Sequence, residues 1–273
     1  MALIPLEDTF ADIVGKAQRG RRITDEQLAA RAGISREDLL AVKGGKPLIP
    51  VIRRISRHLR LNPEAMEASA RKTWYPKQPA FPRGFAMFNT PFGEQTVNSY
   101  LVWDSRTREA MAFDTGTDCQ DMLDVIKAEN LRLSCILITH AHRDHIADLE
   151  RLAAATKAQV WLHELEPCSI PGARTFKGNV HFHAGSLAIK TLHTCGHTPG
   201  LTTFLVTGLA WPLAIVGDAL FAGSMGGSDE HFEEQYRNNY EKILTLSNDT
   251  VIAPGHGPLT TLLEEKAHNP FLV

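Results

Sequence analysis

Four side chains able to hold a metal ion fall within six residues of this chain: His140, His142, Asp144 and His145, in the string Thr139-His140-Ala141-His142-Arg143-Asp144-His145. Such density is unusual in a sequence with twelve histidines. Imidazole and carboxylate donors suit zinc, iron or manganese, so the string is the front half of a metal site. It directly follows the apolar run Ser134-Cys135-Ile136-Leu137-Ile138, which reads as a buried strand. The ligands would then sit on the loop leaving that strand's C-terminal end, where α/β proteins place their chemistry.

Three further donors lie in comparable settings. His197 is in Thr194-Cys195-Gly196-His197-Thr198-Pro199-Gly200, Asp218 follows Ala214-Ile215-Val216-Gly217, and His256 is in Val251-Ile252-Ala253-Pro254-Gly255-His256-Gly257-Pro258. Glycines beside a donor permit the tight turns that aim a short side chain inward. Each alone is an ordinary turn residue; with the first string they complete a set of seven. Two metals about 3.5–4 Å apart can share one hydroxide, lower the pKa of its water towards about 7 and polarise a carbonyl. The other histidines, His58, His163, His181, His183, His193, His231 and His268, read as structural, and Cys195 as a small packed apolar residue.

The order His140, His142, Asp144, His145, His197, Asp218, His256 resembles the ligand set of the metallo-β-lactamase fold hydrolases. Cys195 to Gly200, Gly217-Asp218-Ala219-Leu220-Phe221-Ala222-Gly223, Pro254 to Pro258 and the trailing Asn269-Pro270-Phe271 are similar to the glyoxalase II (hydroxyacylglutathione hydrolase) branch. The resemblance covers roughly residues 85–273 and implies an α/β (α+β) fold, an αββα sandwich with the site at one edge of two sheets. It implies that His140, His142 and His197 hold one divalent metal, that Asp144, His145 and His256 hold a second, and that Asp218 bridges them. Zinc comes first, with iron or manganese as alternatives. The reaction implied is hydrolysis of a thioester or ester by the shared hydroxide, with Asp144 and Asp218 as catalytic carboxylates and Asp144 placed to orient the nucleophile. An Asp at 218 argues against an antibiotic-destroying member. Persulfide dioxygenases, with one iron on two His and one Asp, and lactonases use the same scaffold. No substrate-binding residue is assigned.

The elements must carry these loops to one place. From Phe85 on, strands are expected at Phe85 to Phe88, Val97 to Trp103 and Ala110 to Phe113, with Thr90-Pro91-Phe92-Gly93 and Asp104 to Arg108 as turns. A helix over Gln120 to Glu129, the strand into the histidines and a helix from Ile146 to Thr156 follow. Strands near Gln159 to Leu162, Val180 to His183, Leu187 to Thr191, Thr202 to Thr207 and Leu213 to Val216 come next, then a helix over Phe232 to Leu246, a strand at Thr250 to Ala253 and a helix near Thr260 to Ala267. Two such halves suggest sheets packed face to face under helices.

Residues 1–72 differ: they hold 14 Lys and Arg against 9 Asp and Glu, whereas 73–273 hold 15 against 22. Helical signals run over Asp8 to Gln18, Thr24 to Arg31, Ser35 to Val42 and Pro50 to Leu59, and five short helices are expected in this first domain. Gln27 to Ser35 resembles the helix-turn-helix of the Cro/C1 repressor family, with Thr24 and Gln27 as a capping box. A metal-dependent DNA-binding regulator is therefore a non-enzymatic alternative. Glu37 and Asp38 oppose it, because they would face phosphate. Dimerisation with a second copy, partner docking or lid formation are the other roles considered for this segment. Residues 73–84, with three prolines, read as a linker whose aromatics pack on a neighbour. No apolar stretch approaches the roughly 18 residues that span a bilayer, and the N-terminus lacks a signal-peptide apolar region. Four cysteines without CxxC spacing are expected as reduced thiols, and the whole chain as cytoplasmic, acting on a small thioester or ester without a membrane partner.

Overall fold

Alternation along the strands dictates the layering. The computed structural model describes residues 3–168 and 170–273. After five helices, α1 (Phe10–Gly20), α2 (Asp25–Ala32), α3 (Arg36–Lys43), α4 (Ile49–His58) and α5 (Pro63–Arg71), come strands β1 (Phe85–Phe92), β2 (Gln95–Trp103) and β3 (Glu109–Phe113). The first half continues with α6 (Gln120–Ala128), β4 (Arg132–Leu137), α7 (Arg143–Ile146), α8 (Leu149–Thr156), β5 (Gln159–His163) and β6 (Arg174–Phe176). The second half holds β7 (His181–Ala184), β8 (Leu187–His193), β9 (Thr202–Thr207), β10 (Leu213–Gly217), α9 (Phe232–Asn238), β11 (Val251–Pro254), β12 (Thr260–Thr261) and α10 (Leu262–His268). Strands β1 to β6 form one six-stranded sheet in sequence order, and β7 to β12 form the other.

Both faces of each sheet are buried, so successive residues enter different cores. On β3, Met111 and Phe113 join the layer between the sheets while Ala110 and Ala112 face α6 and α8. On β10, Leu213 and Ile215 enter the same inter-sheet layer, and Ala214 and Val216 face outward onto helices. Phe113 and Phe204 meet edge to face across the sheets at 5.3 Å. The result is the expected α/β sandwich of two sheets between helices.

The N-terminal helices form part of that outer cover. One apolar cluster runs without a break from Ile13, Leu28, Leu39, Ile52 and Met66 into Val216 and Ile252 on the second sheet and Phe232 and Phe271 beyond it. Thr24 and Gln27 make the expected capping box, Ser35 accepts from the Asp38 amide, and Gly33 turns the chain between α2 and α3 at φ 61°. Two of the three arginines of α4 are engaged inside the segment: Arg53 pairs with Glu64 and Glu67, and Arg54 donates to the Gly33 carbonyl. Residues 73–84 form no helix or strand and are fastened to their neighbours: Trp74 stacks on His268 at 5.1 Å and Tyr75 donates to the Ile4 carbonyl at 2.8 Å.

Several boundaries depart from expectation. The turn placed at Thr90 to Gly93 is mostly strand, since β1 pairs through Phe92 with Gln95 and leaves only Gly93, at φ 60°, and Glu94 to turn. Pro91 is tolerated because β1 is an edge strand. The helix expected over Ile146 to Thr156 divides into the single turn α7 and the separate α8, and the one over Phe232 to Leu246 passes from α9 into a π-helical turn at Asn239–Ile243. No helix is long and apolar enough to cross a membrane among the described residues, and the four cysteines are unpaired thiols.

Phe271 is wholly buried in the cluster that joins the N-terminal helices to the second sheet. Phe271→Ala should therefore lower unfolding stability by about 3–5 kcal/mol. Urea unfolding followed by far-ultraviolet circular dichroism and by tryptophan fluorescence checks this. Coincident, shifted transitions are expected; a change below about 1 kcal/mol would contradict a continuous core.

Candidate metal centre

All seven donors converge at the ends of the two sheets, in two groups. His140, His142, His197 and Asp218 form one, and Asp144, His145 and His256 form the other. His140 follows β4, Asp144 and His145 lie in α7, His197 sits between β8 and β9, Asp218 follows β10, and His256 follows β11. Asp218 faces both groups. Its Oδ2 lies 3.3 Å from His197 Nε2 and 3.5 Å from His256 Nε2, and its Oδ1 lies 3.4 Å from His145 Nε2. Asp144 Oδ2 approaches His256 Nε2 at 3.2 Å and His145 Nε2 at 3.7 Å.

The outer nitrogen of each buried ring is already occupied, which turns the other inward. His145 Nδ1 donates to Asp114 Oδ2 at 2.8 Å, His197 Nδ1 to the Gly227 carbonyl at 2.6 Å and His256 Nδ1 to the Thr96 carbonyl at 2.8 Å. His140 Nδ1 donates to the Thr139 hydroxyl, whose own proton goes to Asp114. The inward lone pairs of His140 and His197 then face His142 Nδ1 at 3.1 and 3.0 Å. One proton on His142 cannot satisfy both, whereas a cation among them would. His145 Nε2 and Asp218 Oδ1 are likewise buried without a hydrogen-bond partner among the described residues. Orphaned inward donors of this kind fit divalent metal.

The electrostatics agree. Burial, reinforced by His145, holds the His140 imidazole well below its ordinary range, and burial lowers His142. Burial would lower His145 too, but the Asp218 and Asp114 carboxylates outweigh it and raise it well above. Burial opposes a charge on Asp218, yet His256, His145 and His140 hold its carboxyl well below the usual range. Burial is likewise overcome at His256, where Asp218 and Asp144 raise the pKa to about 9. The centre is one tightly coupled set of imidazoles and carboxylates.

Backbone conformation brings these groups close. A Cβ on Gly255 would lie 2.1 Å from Asp218 Oδ1 and 2.6 Å from His145 Cε1, so only glycine lets the His256 loop close over the carboxylate. Asn98 Nδ2 donates to the Pro254 and Gly257 carbonyls at 2.9 and 2.8 Å, and Tyr100 Oη donates to Pro254 at 2.6 Å. The loop after Asp218 is fixed from three directions. Gln235 Nε2 donates to the Gly226 carbonyl, Asn269 Nδ2 to Ser224, and Lys16 Nζ of α1 to Met225 at 3.0 Å. Glu7 also reaches the rim, with Oε2 3.9 Å from His256 Nδ1.

Sequence reasoning missed Asp114, which anchors His145 and Thr139 from a left-handed position at φ 55°. A signal was present, since Asp114 follows an apolar strand just as Asp218 does. Asn98 and Tyr100 carried none, being embedded in β2. Cys195 touches Glu234 and Asn238 and belongs to neither donor group.

Residues 92–256 match the Metallo-beta-lactamase superfamily. The chain is 31% identical over 205 residues to a probable metallo-hydrolase, YqgX, of Bacillus subtilis, covering 67% of this chain and 95% of that one. It is 29% identical over 198 residues to the hydroxyacylglutathione hydrolase GloC of Haemophilus influenzae, covering 64% and 92%. Among solved structures, TTHA1623 in a di-iron-bound form superposes with a TM-score of 0.56 at 28% identity, covering 68% of this chain and 100% of the other. The five N-terminal helices precede the matched residues.

A buried carboxylate on α10 supports the Asp218 loop from behind. Glu265 accepts from the Gly223 amide at 3.0 Å, Asn269 Nδ2 at 2.7 Å and the Thr260 hydroxyl at 2.8 Å, yet burial pushes its pKa from 4.5 to about 7. The folded state thus binds this proton more tightly than the unfolded chain. The contribution is fully present below pH 4.5 and is lost as pH rises through about 7. Glu265→Gln should gain stability relative to wild type between pH 5 and 8, measured by urea unfolding at both values. A difference independent of pH would refute the assignment.

Proposed function

Because the chain belongs to the metallo-beta-lactamase superfamily, a fold of metal-dependent hydrolases, we propose that it cleaves a thioester or ester at a two-metal centre built from the seven donors. The observation that carries this reading is the position of Asp218, whose carboxylate faces histidines of both groups at once. In this reading His140, His142 and His197 hold one metal, Asp144, His145 and His256 the other, and Asp218 lies between. Zinc, iron and manganese all suit the donor set, and the di-iron form of TTHA1623 gives iron equal standing with zinc. Bound metals would supply an activated water and polarise the scissile carbonyl.

The chain's own residues do the rest. Thr139 and Asp114 fix the rings of His140 and His145, Thr96 fixes His256, and Gly227 fixes His197, so the donors stand ready before substrate arrives. Asp144 Oδ2 sits beside His256 Nε2 at 3.2 Å, where a carboxylate can accept a proton from a water held between the two groups. The name of GloC favours a thioester of a small thiol as the substrate class. The N-terminal helices serve as a structural cover of the catalytic unit in this reading. The internal pairing of Arg53 and Arg54 supports that role over DNA contact.

Elemental analysis should give two divalent metals per chain, together with hydrolysis of acylated thiols. One iron per chain, with oxygen consumed on adding a persulfide, would overturn the proposal in favour of a dioxygenase. His142→Ala should keep the fold and lower kcat/KM by more than about 100-fold, beyond the loss typical of removing a ligand's supporting partner. Full activity in that variant would refute the assignment of His142.

A further inference from the structure

Glu166 lies just after β5, outside both donor groups, and is buried at 6% exposure. A buried carboxylate demands partners, and Glu166 has three, drawn from two loops. Its Oε2 accepts from the Ala141 amide at 2.7 Å, between the donors His140 and His142. Its Oε1 accepts from the Thr198 hydroxyl at 2.5 Å and the Gly200 amide at 2.8 Å, in the turn that carries His197. The contact is close enough to dictate sequence: a Cβ on Gly200 would fall 2.6 Å from Glu166 Cγ. None of the three donors of the second group depends on it, since His145 is held by Asp114, His256 by Thr96, and Asp144 lies in α7.

We propose that Glu166 is a positioning residue that clamps the His140–His142 loop to the His197 turn and so sets the affinity of one metal site alone. The inference rests on the metal reading of the centre. Three donors on one carboxylate make it a charge-assisted tie between segments 55 residues apart, as His142 and His197 are. Removing it loosens the His142 and His197 loops against each other, while the rings of His140 and His197 keep their own anchors at Thr139 and Gly227. The second group keeps its own supports.

Zinc titration of the metal-free protein against a chromophoric chelator tests this without any substrate. Wild type should take up two zinc ions. Glu166→Ala and Gly200→Ala should weaken one of the two by about 10–100-fold and leave the other unchanged, with circular dichroism melts showing a folded chain. Thr198→Val, which removes one donor and keeps the carboxylate, should weaken the same site by less, and it serves as the test should Glu166→Ala fail to fold. Glu166→Gln should not restore the site, because all three partners donate and an amide NH₂ would face an N–H. Two zinc ions bound at wild-type affinity in the folded variants, or both weakened equally, would overturn the clamp. A wild-type chain that binds no zinc would overturn the metal reading, and the clamp with it.

Discussion

The structure depends on keeping the Asp218 carboxylate ionised in a place where water cannot solvate it. A buried carboxylate left alone would take up a proton, because the charge is costly in a medium of low polarisability. Here four imidazoles face it, from His140, His197, His145 and His256, and the field of His256, His145 and His140 overcomes burial and holds its pKa well below the ordinary range. Those rings come from different loops and from both sheets. The sandwich is therefore more than a scaffold. Its two sheets must meet with their strand ends in register, or the charges cannot compensate one another.

Register is secured by packing on one side and hydrogen bonds on the other. Between the sheets, Phe113 packs on Phe204 immediately before Asp114 and close to the Thr202 amide, which donates to the Thr139 carbonyl. That bond joins the β4 loop to β9 and so ties one sheet to the other at the base of the centre. Gly255 donates to the Gly217 carbonyl and locks the His256 loop beside Asp218 in the same way. Outside, the N-terminal helices and α10 press on the loop after Asp218. Asp8 accepts from Ser224 and from Lys16, whose ammonium also lies 5.1 Å over the Phe221 ring. The helical segment is thereby coupled to the metal centre through the same core that holds it to the sheet.

Much of this was legible in the sequence because the centre uses a repeated local grammar. A short apolar run is followed by a donor, or a donor is set among glycines, and the period of two within each run tells which faces are buried. Those rules picked out the seven side chains that the fold brings together and the strands that carry them. They failed where position depends on partners distant in sequence. β6 and β12 have three and two residues, too few to show a period, and exist because a neighbouring strand offers a free edge. Asn98 and Tyr100 sit inside a strand and show their purpose only against the Pro254 turn. The continuity of α1 to α5 with the second sheet was also hidden. Amphipathic helices announce an apolar face, but nothing in them names the surface that will cover it.

The exposure of the donors gives the centre a direction. His140, His145 and Asp218 form its buried floor at the ends of the strands, while His142 is exposed and His197 half-buried. The centre is therefore open to solvent on the side of His142 and His197. Deep donors are held by Asp114 and by strand backbone and have little freedom to adjust. The outer ones stand on loops whose spacing must be imposed by hydrogen bonds from neighbouring segments. Entry and precise geometry make opposing demands on that outer side, since the loops that admit substrate are also those whose rings must not drift. Holding them by a buried carboxylate behind the loops leaves their front face open, which packing against the rings themselves could not do.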